Sequence, residues 1–217
     1  MDLVTEYRRK LPHFQHIGAS FFVTFRLNGS LPKEIVLALK NERDDNLLNI
    51  KRLQLPAAEE RIAIDNANRQ YYFKVDDTLD RITTGPHHLK DPCIATLIID
   101  KLKSFDAQYY HLDAYCVMSN HVHALLDFSI QLPPNFMDFK EEEYIQLHQV
   151  MKLIKGSTGY NANKLLGLNG KFWEEETFDR YIRNEKHRNI VIKYILNNPI
   201  KIGLCKFWEE YPFAWAR

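Results

Sequence analysis

The feature that most constrains the fold is a pair of strand-like runs, residues 109–117 (YYHLDAYCV) and 121–128 (HVHALLDF). They are separated by Met118-Ser119-Asn120, a connection with the length and turn-forming residues of a β-hairpin. The sequence therefore predicts two neighbouring antiparallel strands in the middle of the chain.

The segments on either side of this hairpin alternate between strand and helix patterns. They are a strand over residues 21–27, a largely helical polar stretch over 34–80, a helix beginning at Asp91-Pro92, a long helix over 141–166, a short strand over 171–173, and a helix over 187–198 that is stopped by Pro199. This order is typical of an α+β protein with a ferredoxin-like split βαβ antiparallel sheet and an added C-terminal helix. We expect one domain over residues 1–217, with residues 40–90 as a mostly helical insertion.

The composition is that of an ordinary globular domain, with 217 residues of which 45% are hydrophobic and 26% charged. This excludes a fibre, a disordered tail and a membrane protein. Three cysteines without a CxxC pair exclude a disulfide framework and a zinc ribbon, and they suit a reducing cytoplasm. The N-terminus has no apolar signal-peptide core, and no run approaches the roughly 20 apolar residues of a membrane span. We expect a cytoplasmic protein without a membrane partner.

The net charge of +1 excludes a uniformly basic nucleic-acid coat, but the charge is segregated along the chain. Residues 145–206 contain eleven Lys and Arg against five Asp and Glu, whereas residues 34–80 contain seven against ten. A polyanionic partner would therefore meet the C-terminal third.

Two histidines in the second run of the hairpin are candidate metal ligands. His121 and His123 are two residues apart, so they emerge on one face of the strand while Val122 and Ala124 point into the core. Two imidazoles can chelate one divalent cation and leave positions for an oxygen ligand, water and substrate. The same spacing also fits two histidines that merely line a polar sheet face.

A tyrosine and an asparagine share one face of the last long helix. Tyr194 and Asn198 are four residues apart. If that face lies across the histidine-bearing strand, Asn198 could supply an oxygen ligand and Tyr194 a nucleophile beside the metal. The pattern equally fits a half-buried aromatic side chain next to Ile190 and Ile195.

The chain resembles the REP-associated tyrosine transposases, a branch of the HUH single-tyrosine transposases. The resemblance is carried by MSNHVHALLDF and, about seventy residues later, YILNNPIKIG. It extends over essentially the whole chain through YRRKLPHFQHIGASFFVTFRLNGSLP, LDRITTGPHHLKDPCIA and KFWEEETFDRYIRNEKHRNIVIKYI. One departure is Ser119, which stands where the family has a proline and which we expect to loosen the hairpin turn.

The resemblance implies a role for each residue of the candidate site. His121 and His123 correspond to the two histidines of the HUH motif, Tyr194 to the nucleophile, and Asn198 to a polar third metal ligand. The family points to Mg²⁺ or Mn²⁺. By softness, two imidazoles and an amide oxygen suit zinc, manganese or cobalt at least as well as magnesium.

The resemblance further implies a metal-dependent single-stranded DNA endonuclease and transposase, which cleaves and rejoins DNA at REP-type hairpins through a 5′-phosphotyrosine intermediate. The expected partner is single-stranded or hairpin DNA, the expected location is the nucleoid, and the protein is expected to be a monomer or a homodimer. The aromatic side chains of Phe172 and Trp173 fit either stacking on unpaired bases or the core. Candidate phosphate contacts are Arg8, Arg9, Lys152, Lys155, Lys164 and Arg183.

Three other functions share parts of this pattern. A domesticated hairpin-binding protein would keep the fold and the DNA but lack catalysis. A ferredoxin-like RNA-binding module would read bases with aromatic side chains on its sheet, although the sequence has no RNP-like aromatic run. A metal hydrolase would use the histidine pair to activate water, with Tyr194 incidental.

Overall fold

The computed structural model describes residues 4–8 and 12–217. Two short strands at the N-terminus, β1 (Val4–Arg8) and β2 (Pro12–His16), pair with each other as an antiparallel ribbon. The remaining five strands form one antiparallel sheet: β3 (Ser20–Leu27), β4 (His111–Val117), β5 (His121–Asp127), β6 (Trp173–Tyr181) and β7 (Ala214–Ala216). Their order across the sheet is β6-β3-β5-β4-β7.

The described residues also form five α-helices. They are α1 (Lys33–Arg52), α2 (Ala57–Arg81), α3 (Pro92–Ser104), α4 (Leu147–Leu166) and α5 (Glu185–Lys201). Along the chain, β3, α3, β4, β5, α4 and β6 follow the split βαβ order, and β6-β3-β5-β4 is the corresponding spatial order. The predicted α+β, ferredoxin-like antiparallel sheet with a helical insertion and a C-terminal tyrosine-bearing helix is confirmed.

The chain divides into two compact units, one of Met1–Asn28 with His87–Arg217 and one of Gly29–Pro86. Within the second unit, α1 and α2 are joined by residues 53–56, a link short enough to make neighbouring helices antiparallel. The guanidinium of Arg43 lies 5.0 Å from the centre of the Tyr71 ring, and Lys74 pairs with Glu42. None of the helices in the described part of the chain is long and apolar enough to cross a membrane.

The five-stranded sheet buries a hydrophobic cluster on each face, because side chains alternate along its strands. Val122, Ala124 and Leu126 of β5 belong to the larger cluster, which includes residues of α3 and α4. Leu125 belongs to the smaller cluster with Val191 and Ile195 of α5. Helix α5 therefore packs on the sheet face that also carries the odd-numbered side chains of β5.

Several boundaries differ from the sequence expectations. The predicted helix over 141–166 begins only at Leu147, and the predicted short strand over 171–173 is instead β6, which starts at Trp173 and runs to Tyr181. Most β6 side chains are partly exposed, as expected of a strand at the sheet edge, so its sequence lacks a strong apolar alternation.

The prediction that Pro199 stops the last helix is wrong. Pro199 lies inside α5, which continues to Lys201. The helix ends where Gly203 adopts a positive φ of 73°, while Gly203 N–H donates to the Ile200 carbonyl and Leu204 N–H donates to the Pro199 carbonyl. These two hydrogen bonds form a Schellman motif, which satisfies the last carbonyl groups of the helix.

Candidate active site

The two histidines predicted as metal ligands lie side by side on β5, on the face covered by α5. Both side chains are completely buried, and their Nε2 atoms are 3.1 Å apart. Nitrogen ligands bind a transition-metal ion at about 2.0–2.1 Å, so this separation allows both imidazoles to bind one cation.

Hydrogen bonds at the other nitrogen of each ring orient the pair. His121 Nδ1–H donates to Asn120 Oδ1 at 2.7 Å, and an amide oxygen can only accept, so this bond leaves the His121 Nε2 lone pair available. His123 Nδ1 is 2.8 Å from Thr24 Oγ1, which lies opposite His123 in the register of β3 and β5. When Thr24 Oγ1 accepts from His123 Nδ1–H, the two Nε2 lone pairs face each other at 3.1 Å, an arrangement that a shared cation would stabilise. When the Thr24 hydroxyl donates to His123 Nδ1 instead, His123 Nε2–H donates to His121 Nε2.

Both imidazoles are in the neutral form that metal binding requires. Burial lowers the pKa of His121 to about 3, with a further contribution from the charge of Lys201. Burial likewise lowers the pKa of His123 well below its usual value, assisted by His121 and Lys201. A cation arriving at neutral pH therefore displaces no proton from either ring.

The predicted nucleophile lies against this pair within the same chain. The Tyr194 ring meets the His123 ring edge-on, with centroids 5.7 Å apart and an interplanar angle of 68°. Phe22 stacks on His123 at 5.4 Å and contacts Tyr194 edge-to-face at 5.7 Å. Phe22 thus restricts the positions that both rings can take.

The predicted third ligand has an oxygen atom without a hydrogen-bond partner. Asn198 is 2% exposed, and its Nδ2 donates to the Tyr194 carbonyl oxygen at 2.9 Å. Its Oδ1 is buried and makes no hydrogen bond. An unsatisfied buried acceptor costs about 1–3 kcal/mol, and binding a cation would recover that energy. Over the described ranges 4–8 and 12–217 no cluster of three His, Cys, Asp or Glu side chains could hold a metal.

Three residues of this site were missed in the sequence. Thr24 and Asn120 form the hydrogen bonds to the imidazoles, and Lys201 lies three residues beyond Asn198 and seven beyond Tyr194, on the same helical face. The i, i+4, i+7 spacing of Tyr194, Asn198 and Lys201 predicts that Lys201 shares their helical face. The role of Thr24 depends on the pairing register of β3 and β5, which the sequence does not indicate.

The hairpin turn before the histidines is held in place despite the serine at its centre. Ser119 Oγ is 2.8 Å from His87 Nδ1, and the Ser119 carbonyl accepts from Leu89 N–H at 3.1 Å. These two contacts restrain the turn at Ser119, while the expectation that serine loosens it stays a prediction.

The predicted phosphate contacts do not gather at the histidine pair. Lys152 and Lys155 line a cavity of about 600 Å³ between α4 and β6, on the sheet face opposite α5, and Lys164 is exposed near the end of α4. Lys155 Nζ donates to the Glu175 carbonyl and to Thr177 Oγ1 at 2.8 and 3.0 Å.

The other basic candidates lie elsewhere. Arg183 is exposed just before α5, and Arg8 ends β1. Arg9 lies outside the described residues. Phe172 and Trp173 are each 6% exposed in the larger cluster, and Trp173 Nε1–H donates to Thr158 Oγ1, so neither is free to stack on bases.

Comparison with known proteins supports the resemblance in part of the chain. A protein of Haemophilus influenzae that bears the name of a REP-associated tyrosine transposase is 24% identical to this chain over 102 residues, which are 46% of this chain and 56% of that protein. The chain is similar to a REP-associated tyrosine transposase. The match spans little more than half of that relative's length, and no family model matches the chain.

A solved structure of a REP-associated tyrosine transposase bound to a REP hairpin is also similar. It has 16% sequence identity and a TM-score of 0.45, and the alignment covers 97% of this chain and 81% of that chain.

Proposed function

We propose that this protein is a REP-associated tyrosine transposase, a metal-dependent endonuclease that cleaves and rejoins single-stranded DNA at REP-type hairpins through a 5′-phosphotyrosine intermediate. One observation carries the proposal: the Tyr194 ring lies 5.7 Å from the ring of His123, whose Nε2 is 3.1 Å from that of His121. A phenol that could act as the nucleophile and two imidazoles that could hold a cation are thus adjacent within one chain, which supports the proposal.

The residues present fit a divalent cation. His121 and His123 would hold Mg²⁺ or Mn²⁺ through their neutral Nε2 atoms, and Asn198 through its unsatisfied Oδ1. The bound cation would polarise the scissile phosphate as a Lewis acid.

Tyr194 would carry the covalent step. Its phenolic oxygen forms a bond to phosphorus, the bond from phosphorus to the 3′ oxygen breaks, and the products are a 5′-phosphotyrosine and a free 3′ hydroxyl. At pH 7 only about one tyrosine in a thousand is ionised, so the phenol gives its proton to water in the course of the attack, and the leaving 3′ oxygen takes up one proton from water. The reverse reaction, with the 3′ hydroxyl of another strand, rejoins the DNA without an external energy source.

Lys201 would stabilise the charge that develops on the phosphate. It lies on the face of α5 that carries Tyr194 and Asn198, and its charge contributes to lowering the pKa of both imidazoles. An ammonium group at this site favours an approaching phosphodiester and the more negative transition state.

The DNA partner would contact two regions of the protein. Lys152, Lys155 and Lys164 on α4 are candidates for the hairpin backbone, with Arg183, Arg8 and Arg9 as further phosphate contacts. Because α4 and α5 cover opposite faces of the sheet, a hairpin bound at α4 would reach Tyr194 by passing the edge of the sheet at β6. Since one chain contains Tyr194 and both histidines, a monomer would suffice for cleavage.

The experiment is a covalent-adduct assay. The purified protein is incubated with Mn²⁺ and a labelled REP-type hairpin carrying a single-stranded flank, then separated by denaturing electrophoresis. We expect a labelled band that resists denaturant, and we expect its loss in Tyr194→Phe and His121→Ala. Hairpin binding without an adduct would contradict the proposal and favour a hairpin-binding protein, while cleavage retained in Tyr194→Phe would favour a metal hydrolase.

A further inference from the structure

An ion pair with a buried carboxylate and a partly exposed guanidinium joins the tyrosine-bearing helix to the sheet. Arg188 Nε donates to Asp113 Oδ2 at 2.7 Å, and Arg188 Nη2 lies 2.7 Å from Asp113 Oδ1. The Asp113 side chain is 2% exposed and that of Arg188 29%. Two parallel contacts between a guanidinium and a carboxylate define both the distance and the orientation of the two groups.

Asp113 reaches α5 because the strand that carries it is irregular. The register between β4 and β5 shifts between Leu112 and Ala114, which leaves Asp113 as the bulged residue. In a regular strand residues 112 and 114 would face the same side, yet Leu112 belongs to the larger cluster and Ala114 to the smaller one. The bulge therefore turns Asp113 toward the face covered by α5.

Arg217, which follows β7, supports this bulge. Arg217 N–H donates to the Asp113 carbonyl at 2.8 Å, and the Arg217 guanidinium donates to the Leu112 carbonyl at 3.3 Å. The same guanidinium contacts both carboxylate oxygens of Asp106, at 2.9 and 2.8 Å. In the sheet, β7 lies on one side of β4 and β5 on the other. Arg217 therefore holds the irregular part of β4 from the β7 side.

Apolar packing of Val191 and Ile195 against residues such as Leu125 also holds α5 on the sheet. Apolar packing is not directional, so it defines the axial position of the helix less strictly than a two-contact ion pair does. Arg188 precedes Tyr194 by six residues, which corresponds to about 9 Å along a helix. A shift of α5 at Arg188 would therefore move the Tyr194 ring by a similar amount relative to His123.

We propose that Arg188 and Asp113 are a positioning pair, which fixes α5 on its own sheet so that Tyr194 meets the histidine pair of the same chain. The catalytic part of this inference rests on the proposed function, whereas the position of α5 does not. Neither residue touches the reacting atoms.

The test compares three variants with the wild type. Asp113→Asn removes the charge but keeps the shape of the side chain, and Arg188→Lys keeps the charge but cannot form the two parallel contacts. Glu185→Gln is the matched control, because it removes the exposed carboxylate that contacts Arg188 Nη1 at 3.1 Å and leaves the pair with Asp113 intact.

The first readout needs no catalysis. Hydrogen exchange of the α5 amides, Glu185–Lys201, should be about tenfold faster or more in Asp113→Asn and Arg188→Lys, and unchanged in Glu185→Gln. Amides of α4 serve as the internal reference, because a global loss of stability would accelerate them as well. Exchange of α5 at the wild-type rate in both pair variants would overturn the inference.

The second readout separates chemistry from binding. At saturating hairpin, the single-turnover rate of adduct formation should fall about 10- to 100-fold in the pair variants, with the Kd for the hairpin within about twofold of the wild type. Equal losses in rate and DNA affinity, or a normal rate, would overturn the positioning role. If the wild type forms no adduct, the proposed function fails, while the exchange of α5 still decides whether the ion pair holds the helix.

Discussion

Replacing Thr24 with valine should weaken metal binding, although Thr24 is not a proposed metal ligand. Valine has nearly the shape of threonine but lacks the Oγ1 that lies 2.8 Å from His123 Nδ1. Thr24 Oγ1 can accept from His123 Nδ1–H, which is the tautomer that leaves the Nε2 lone pair free for a cation. Valine removes this acceptor, so the His123 proton shifts to Nε2, which is 3.1 Å from His121 Nε2. The two rings would then hydrogen-bond to each other, and this bond would compete directly with a cation.

The size of the effect follows from the burial of the site. Both histidines are fully buried and Thr24 is 2% exposed, so water cannot replace the lost hydrogen bond. Partners that orient a metal-binding histidine are worth about 10- to 100-fold in affinity, or about 1.4–2.7 kcal/mol. We expect Mn²⁺ to bind Thr24→Val more weakly by that factor, and the metal-free variant to lose about 1–3 kcal/mol of stability.

Isothermal titration with Mn²⁺ and chemical denaturation measure these two quantities. Thr158→Val is the matched control, since Thr158 is also buried and its Oγ1 accepts a hydrogen bond from Trp173 Nε1 in the cluster on the other sheet face. This control should lose comparable stability and retain the wild-type Mn²⁺ affinity. Wild-type Mn²⁺ affinity in Thr24→Val would refute the role of Thr24 in selecting the tautomer.

Three further predictions concern charge. Because burial lowers the pKa of His121 to about 3 and that of His123 in the same direction, both rings stay neutral in the folded state but take up protons on unfolding below about pH 6.5. The free energy of unfolding of the metal-free protein should therefore decrease as the pH falls from 6.5 toward 4, by up to about 1.4 kcal/mol per pH unit for each ring, and His121→Asn should reduce this slope in denaturation curves. Lys201→Gln should slow adduct formation at saturating DNA about tenfold, whereas Lys201→Arg should retain most of the wild-type rate; equal rates for both variants would exclude electrostatic assistance. Lys152→Ala should weaken hairpin binding similarly for all sequences and reduce the slope of log Kd against log salt by about one, and an unchanged slope would remove Lys152 from the DNA contacts.

The features predicted correctly from the sequence are those with a local cause. The β4–β5 hairpin is defined by its turn and by two apolar runs, and the period of two along β5 places His121 and His123 on one face. Tyr194 and Asn198 share a face because they are four residues apart on a helix. The packing of this face on β5 is a tertiary contact, which local spacing does not predict. The ion pair between Arg188 and the bulged Asp113 contributes to this packing and has no local sequence signal.

The errors also have physical causes. Strand β6 is charged and lies at the sheet edge, so apolar periodicity detects only its start at Trp173. Proline inside a last turn removes only one N–H, and the Schellman motif at Gly203 determines where α5 ends. The count of basic residues along the chain identified a positive segment but not that the lysines of α4 and the histidine pair lie on opposite faces of the sheet.

The most direct test of the proposed phosphotyrosine intermediate is to identify the protein atom that becomes linked to DNA. The adduct formed with Mn²⁺ and a hairpin substrate is digested with nuclease and protease, and the modified peptide is sequenced by mass spectrometry. The proposed mechanism predicts a nucleotide phosphate on Tyr194 together with a free 3′ hydroxyl on the released strand. A phosphate on any other residue, or cleaved DNA without a modified peptide, would contradict it.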